Sequence, residues 1–123
     1  MPSLPPRATP KPTEGDVRRA IEIALNKQGL VWVRPNQLYK GYGEGGRYVN
    51  AGLGTGTADL IGLVLGSGRF FAVEVKLPKG KLSPEQKAFR DMIIRFGGYS
   101  CTARTPEEAC AHALRANKGE DPE

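Results

Sequence analysis

Histidine and cysteine are scarce in this chain, with one His and two Cys among 123 residues. His112, Cys101 and Cys110 are too few for the side-chain set of an ordinary zinc site. No apolar run approaches the ~20 residues that a membrane-spanning helix needs. Met1 to Lys11 is Pro-rich and lacks the apolar stretch of a secretory signal, so it reads as a disordered leader. Free thiols in a reducing cytoplasm are then the default expectation. No internal repeat is visible. The Gly-rich run Gly41 to Gly56 lacks the G-x-x-x-x-G-K-[ST] pattern, and no helix start follows it, which excludes an ordinary nucleotide-binding loop.

What remains is the composition of a globular protein: 39% hydrophobic and 25% charged. The length fits one domain with its own core. Lys and Arg total 18 against 13 Asp and Glu, a net charge of +5. Such a balance favours a polyanionic partner.

The pattern of residues places the elements. Thr13-Glu14-Gly15-Asp16 is a helix start with a Thr-x-x-acid cap. Val17, Ala20, Ile21, Ala24 and Leu25 follow at helical spacing, and Gly29 ends the helix. Leu30 to Arg34 is a short apolar strand that Pro35 interrupts. Asn36 to Gly56 is long for a loop in a compact domain; Tyr48-Val49-Asn50 is a possible strand inside it. Asp59 to Leu65 and Arg69 to Leu77 are strands joined by the hairpin signal Gly66-Ser67-Gly68. Ser83-Pro84-Glu85-Gln86 starts a second helix. Its apolar face is Ala88, Phe89, Met92, Ile93 and Phe96, and Gly97-Gly98 ends it. Tyr99 to Arg104 alternates as a strand, and Thr105-Pro106 begins a last helix to about Ala116. The expected domain spans residues 13–116, after the leader 1–12 and before a polar, frayed tail 117–123. The order helix, strand, strand, strand, helix, strand, helix predicts an α/β fold with a mixed central sheet flanked by helices.

Alternation along Phe70 to Lys76 places Phe71, Val73 and Val75 on one face and Ala72, Glu74 and Lys76 on the other. A carboxylate and an amine thus project together from an otherwise apolar strand. Antiparallel pairing about Ser67 brings Asp59 to the same end of the sheet. Two adjacent carboxylates repel unless a cation lies between them. Oxygen ligands with open water positions suit Mg²⁺ or Mn²⁺. Such an ion polarises a phosphate and acidifies water, and Lys76 can orient that water or stabilise the developing charge. Each residue alone also has a plain structural reading, as a solvated ion pair or a turn cap.

Gly56-Thr57-Ala58-Asp59, Phe71-Ala72-Val73-Glu74-Val75-Lys76 and Gly80-Lys81-Leu82-Ser83-Pro84-Glu85-Gln86 together resemble the VRR-NUC family. This is the virus-type replication-repair nuclease branch of the PD-(D/E)XK, restriction-endonuclease-like superfamily. The resemblance runs from Thr13 to about Ala109. It departs at Ala58, where the superfamily has Pro, a position that ligates nothing. The resemblance implies a restriction-endonuclease-like core of order αβββαβ(α). It implies Asp59 and Glu74 as metal ligands, joined by the Val75 carbonyl, with Lys76 as the catalytic lysine. It also implies that Gln86 points into the site and that a Glu on the first helix takes part. The match there is Glu14, in line with the inward positions Val17, Ile21 and Leu25. Glu22 lies toward the flank and is the weaker candidate.

Glu14 has a rival role as an acid at a helix N-terminus. Gln86 has one as the return half of a capping box with Ser83, and holding both roles calls for two side-chain conformations. Arg34, Lys40, Arg47, Lys79 and Lys81 are candidate DNA contacts, and Tyr39, Tyr42 and Tyr48 either stack on unpaired bases or pack the loop. His112 and Trp32 read as structural. The reaction implied is Mg²⁺- or Mn²⁺-dependent hydrolysis of DNA by a structure-specific endonuclease. A Holliday (four-way) junction is the leading substrate, in a phage or bacterial setting. The alternatives are an exonuclease or flap nuclease and, in a different class, a non-catalytic DNA-binding module. Paired cuts on a two-fold substrate predict a homodimer, with the first helix and the Gly-rich segment the expected contributors to its interface.

Overall fold

Thr13 opens the first helix, α1 (Glu14–Gln28), with its side chain on the Asp16 amide while Asp16 returns a bond to the Thr13 amide. Gly29 closes it in the left-handed conformation, φ 82°. The computed structural model describes residues 10–36, 39–42, 44–46, 48–51 and 56–122. The strands are β1 (Val31–Pro35), β2 (Tyr39–Tyr42), β3 (Tyr48–Ala51), β4 (Leu60–Val64), β5 (Phe70–Val75) and β6 (Tyr99–Ala103). Helix α2 (Pro84–Arg95) lies between β5 and β6, and α3 (Pro106–Asn117) follows β6.

Four strands form a mixed sheet in the order β1-β4-β5-β6. The first three are antiparallel to their neighbours, and β5 and β6 run parallel, joined through α2. Helices α1 and α3 cover one face. There Ile21, Leu25, Ala109, Ala113 and Ala116 meet Val31, Val33, Leu60, Val64, Phe71, Val73, Val75 and Tyr99 in the buried core. Helix α2 packs beside β6 on the opposite face, and no residue of it is fully buried. Ala88, Met92 and Phe96, expected in its apolar face, are exposed, whereas Phe89 and Ile93 turn toward the sheet.

Three further features depart from expectation. Pro35 does not interrupt β1 but closes it, opposite Leu60; an edge strand tolerates the missing N–H. The Gly-rich segment contains a two-stranded hairpin, β2 with β3, where only a strand at Tyr48 was foreseen. The tail after Asn117 is held, not frayed. Arg69 donates to the Gly97, Gly98 and Glu120 carbonyls and to the Asp121 carboxylate, the last at 2.6 Å. A periodicity reading cannot find such a tie, because it depends on one arginine far away in sequence.

Two glycines are required by close approach. A Cβ on Gly62 would lie 1.7 Å from the Trp32 carbonyl oxygen, so this glycine lets β1 close on β4. Gly56 has φ 87°, and a Cβ there would lie 2.6 Å from that of Glu85. The start of the Gly-x-x-Asp segment is thereby seated against the first turn of α2.

Candidate active site

The register of β4 and β5 brings the acidic residues together. Leu60 pairs with Val73, so Asp59 stands one step beyond that pair, level with Glu74. Leu60 and Val73 point into the core, and alternation sends Asp59 and Glu74 to the other face. Asp59 Oδ2 accepts from the Val75 amide at 2.8 Å, where the ladder between the two strands has ended. Its backbone is held as well: Asn36 N donates to the Asp59 carbonyl at 2.8 Å. Asn36 Nδ2 donates to Thr57 Oγ1 at 2.7 Å and to the Ala58 carbonyl at 3.1 Å.

Glu14, the first residue of α1, completes the cluster. One carboxylate oxygen from each of Glu14, Asp59 and Glu74 lies within 4.8 Å of the other two. Glu22 is not in this group among the described residues. Glu14 is exposed, Asp59 partly exposed, and Glu74 buried at 7% exposure. Burial pushes the Glu74 carboxyl up to about 8, and the neighbouring Asp59 charge pushes in the same direction. Lys76 opposes this only in part, its Nζ lying 3.9 Å from Glu74 Oε1.

Gln86 holds both roles foreseen for it in a single conformation. Its Oε1 accepts from the Ser83 amide at 2.8 Å, and its Nε2 donates to Glu74 Oε1 at 2.8 Å. The two ends of one amide cap α2 and brace Glu74 together, so two conformations are not needed.

The structure distributes the expected DNA contacts unevenly. Lys79 and Lys81 are exposed on the turn that follows Lys76, and Arg104 steadies that turn through the Gly80 carbonyl at 3.0 Å. Arg34 is exposed, with its guanidinium 4.6 Å from the Trp32 ring centre. Trp32 itself is 45% exposed and is not a core residue. The side chain of Lys40 and those of Tyr39, Tyr42 and Tyr48 lie outside the described residues, as does Arg47. His112 is structural as expected: its Nδ1 meets the Tyr99 hydroxyl at 2.5 Å, and burial lowers its pKa. Asn36 and Arg104 were not singled out from sequence. Their function lies in contacts to residues more than 20 positions away, which no local pattern signals.

Three convergent carboxyl groups, one of them pushed toward its neutral form by burial, fit a hard divalent metal ion. The neighbouring lysine and amide supply donors beside that position. The VRR-NUC domain profile matches residues 12–105, a span that contains the whole cluster. No curated protein matches the chain.

Proposed function

The chain belongs to the VRR-NUC domain family, a restriction-endonuclease-like nuclease family that acts on DNA, and from that premise we propose that it is a Mg²⁺- or Mn²⁺-dependent, structure-specific endonuclease. The observation that carries the proposal is the cluster of Glu14, Asp59 and Glu74 with Lys76 beside it. The leading substrate is a four-way DNA junction, cut by a homodimer whose two-fold axis matches that of the junction.

Asp59, Glu74 and Glu14 hold the ion in this reading. The Val75 carbonyl joins them: in a strand the N–H and C=O of one residue point to the same edge, and the Val75 amide already faces Asp59. When bound, the ion supplies Lewis acidity to a phosphate and to water. Gln86 fixes the Glu74 carboxyl group through Oε1. Asn36 keeps the Asp59 backbone from drifting off the end of β4. Lys76 orients the attacking water and donates to the charge that builds on phosphate. Lys79 and Lys81 continue the positive surface along the DNA backbone.

A panel of labelled single strand, duplex, flap, fork and four-way junction in Mg²⁺ tests the reading. Paired, symmetric incisions in the junction are expected. Digestion from an end or cutting confined to flaps would favour the exonuclease or flap alternative, and DNA binding without any cleavage would favour the non-catalytic module.

A further inference from the structure

On the face of the sheet that carries Asp59 and Glu74, α2 packs beside β6, and among the described residues no helix packs on its β1–β4 half. Trp32 and Leu63 are direct partners across these strands, and each is 45% exposed. Two pairs along, on the same face, Arg34 stands opposite Ile61, with its guanidinium stacked over the indole at 4.6 Å. Two residues beyond Ile61 on the same face comes Asp59. An aromatic surface, an apolar rim and a planar cation therefore continue directly from the carboxylate cluster.

We propose that Trp32, flanked by Leu63 and Arg34, is a stacking platform for an unpaired base of the DNA being cut. The inference rests on the nuclease reading above and adds the substrate feature that the open face recognises. At about 3.4 Å per strand residue, Trp32, opposite Leu63, sits roughly 14 Å from the level of Asp59. That is about four nucleotide steps at the 3.4 Å rise of a duplex strand, and fewer where the strand is unstacked. An indole face accepts any base, because every base offers a π-face. The Arg34 guanidinium can remain stacked on the ring or turn to a phosphate, since it is planar and always charged. Charge favours nucleic acid over a second copy of the chain as the occupant. A two-fold self-contact here would bring two Arg34 cations to one apolar patch, whereas a polyanion neutralises the cation and suits a chain of net charge +5.

Trp32 is the one tryptophan of the chain, so its emission reports this position alone. With chelator present so that nothing is cut, the protein is titrated with a thymidine oligonucleotide carrying a fluorescent label for anisotropy. Saturable quenching of Trp32 in parallel with the anisotropy is expected. Trp32→Ala weakens single-strand affinity about tenfold to a hundredfold, the scale of one lost base stack. Trp32→Phe keeps most of the affinity. Phe96→Ala, at the more exposed aromatic (76%) on the far end of α2, leaves it at the parent value. Saturated binding without quenching would overturn the platform, and so would equal losses from Trp32→Ala and Phe96→Ala. A concentration-dependent blue shift of Trp32 emission that tracks dimer formation in sedimentation would overturn it in favour of a self-contact. Cleavage in Mg²⁺ is measured separately. Cutting without quenching defeats the platform alone, and quenching without cutting defeats the nuclease reading alone.

Discussion

Burial and the Asp59 charge both penalise the Glu74 carboxylate and favour its protonated form. Its pKa in the folded protein is raised from 4.5 to about 8. Between those values the folded state binds more protons than the unfolded state, so this group's contribution to stability is full below about 4.5 and is lost as pH rises through about 8. Thermal melts in chelator are expected to show the metal-free protein weakening across that window, and Glu74→Gln should flatten the decline. Equal pH slopes in parent and variant would contradict this origin. The same proton must leave when a cation binds, so Mn²⁺ affinity should tighten up to about tenfold per pH unit below about 8, measurable by calorimetry in two buffers of different ionisation enthalpy.

The remaining side chains of the cluster separate by what they do. Lys76→Ala should lower cleavage by about a hundredfold to ten-thousandfold with little change in Mn²⁺ binding. Asp59→Asn and Glu74→Gln should lose both activities, and Glu14→Gln should cost more activity than Glu22→Gln. Ca²⁺ should support little cutting, since it takes a looser and larger oxygen shell. Cleavage by Glu74→Gln at the parent rate would move the active centre elsewhere.

Elements hold the site through side chains that serve two structures at once. Gln86 caps α2 and braces Glu74, and substitution can divide the two functions. Gln86→Glu keeps the capping acceptor but removes the donor to Glu74, so the helix should survive while activity falls. Gln86→Ala should lose both, with about 1 kcal/mol of stability; circular dichroism melts beside a cleavage assay distinguish them. Asn26 works similarly at the sheet edge: its amide donates to the Val33 carbonyl at 3.1 Å and accepts from the Val33 amide at 3.0 Å. An α1 side chain thus satisfies an open edge of β1. Asn26→Ala should cost about 1–3 kcal/mol, read from urea unfolding, and a cost near zero would mean that water replaces the pair.

At this scale sequence patterns reveal much and miss identifiable things. The caps at Thr13, Ser83 and Thr105 are local chemistry, so α1, α2 and α3 begin where their residues indicate. Glu74 and Asp59 are legible because a hairpin with alternating faces leaves little freedom in register. Strand β2 is not legible: Tyr39-Lys40-Gly41-Tyr42 lacks a clear apolar alternation, and only pairing with β3 makes it a strand. Trp32 misleads because an apolar residue in an apolar strand looks internal. Whether its face is covered depends on where α2 lies, and that helix sits over the opposite half of the sheet.

For the whole molecule, charge and symmetry are the levers. With net charge +5 per chain, DNA affinity should fall steeply and linearly on a log–log plot against salt, as released counterions require. Anisotropy titrations over a range of NaCl give the slope, and a flat plot would argue that phosphate contacts contribute little. Sedimentation at micromolar concentration tests the homodimer. A strict monomer that nicks a junction once would favour the flap or exonuclease alternative.

Arg69 gathers the Gly97 and Gly98 carbonyls, the Glu120 carbonyl and the Asp121 carboxylate around a single guanidinium. For anyone attaching a reporter to this protein, that knot limits where it can go. A fusion joined directly after Asp121 would pull on the arginine that ties the β4–β5 turn to the end of α2, and its strain would reach the hairpin carrying Asp59 and Glu74. Ahead of α1, Lys11 and Pro12 line a surface groove with Val17, Leu77, Pro78 and Arg104, away from that knot. Bulk joined after Asp121 would therefore loosen the frame of the candidate active site, and labelling chemistry is better placed on exposed Lys27 of α1.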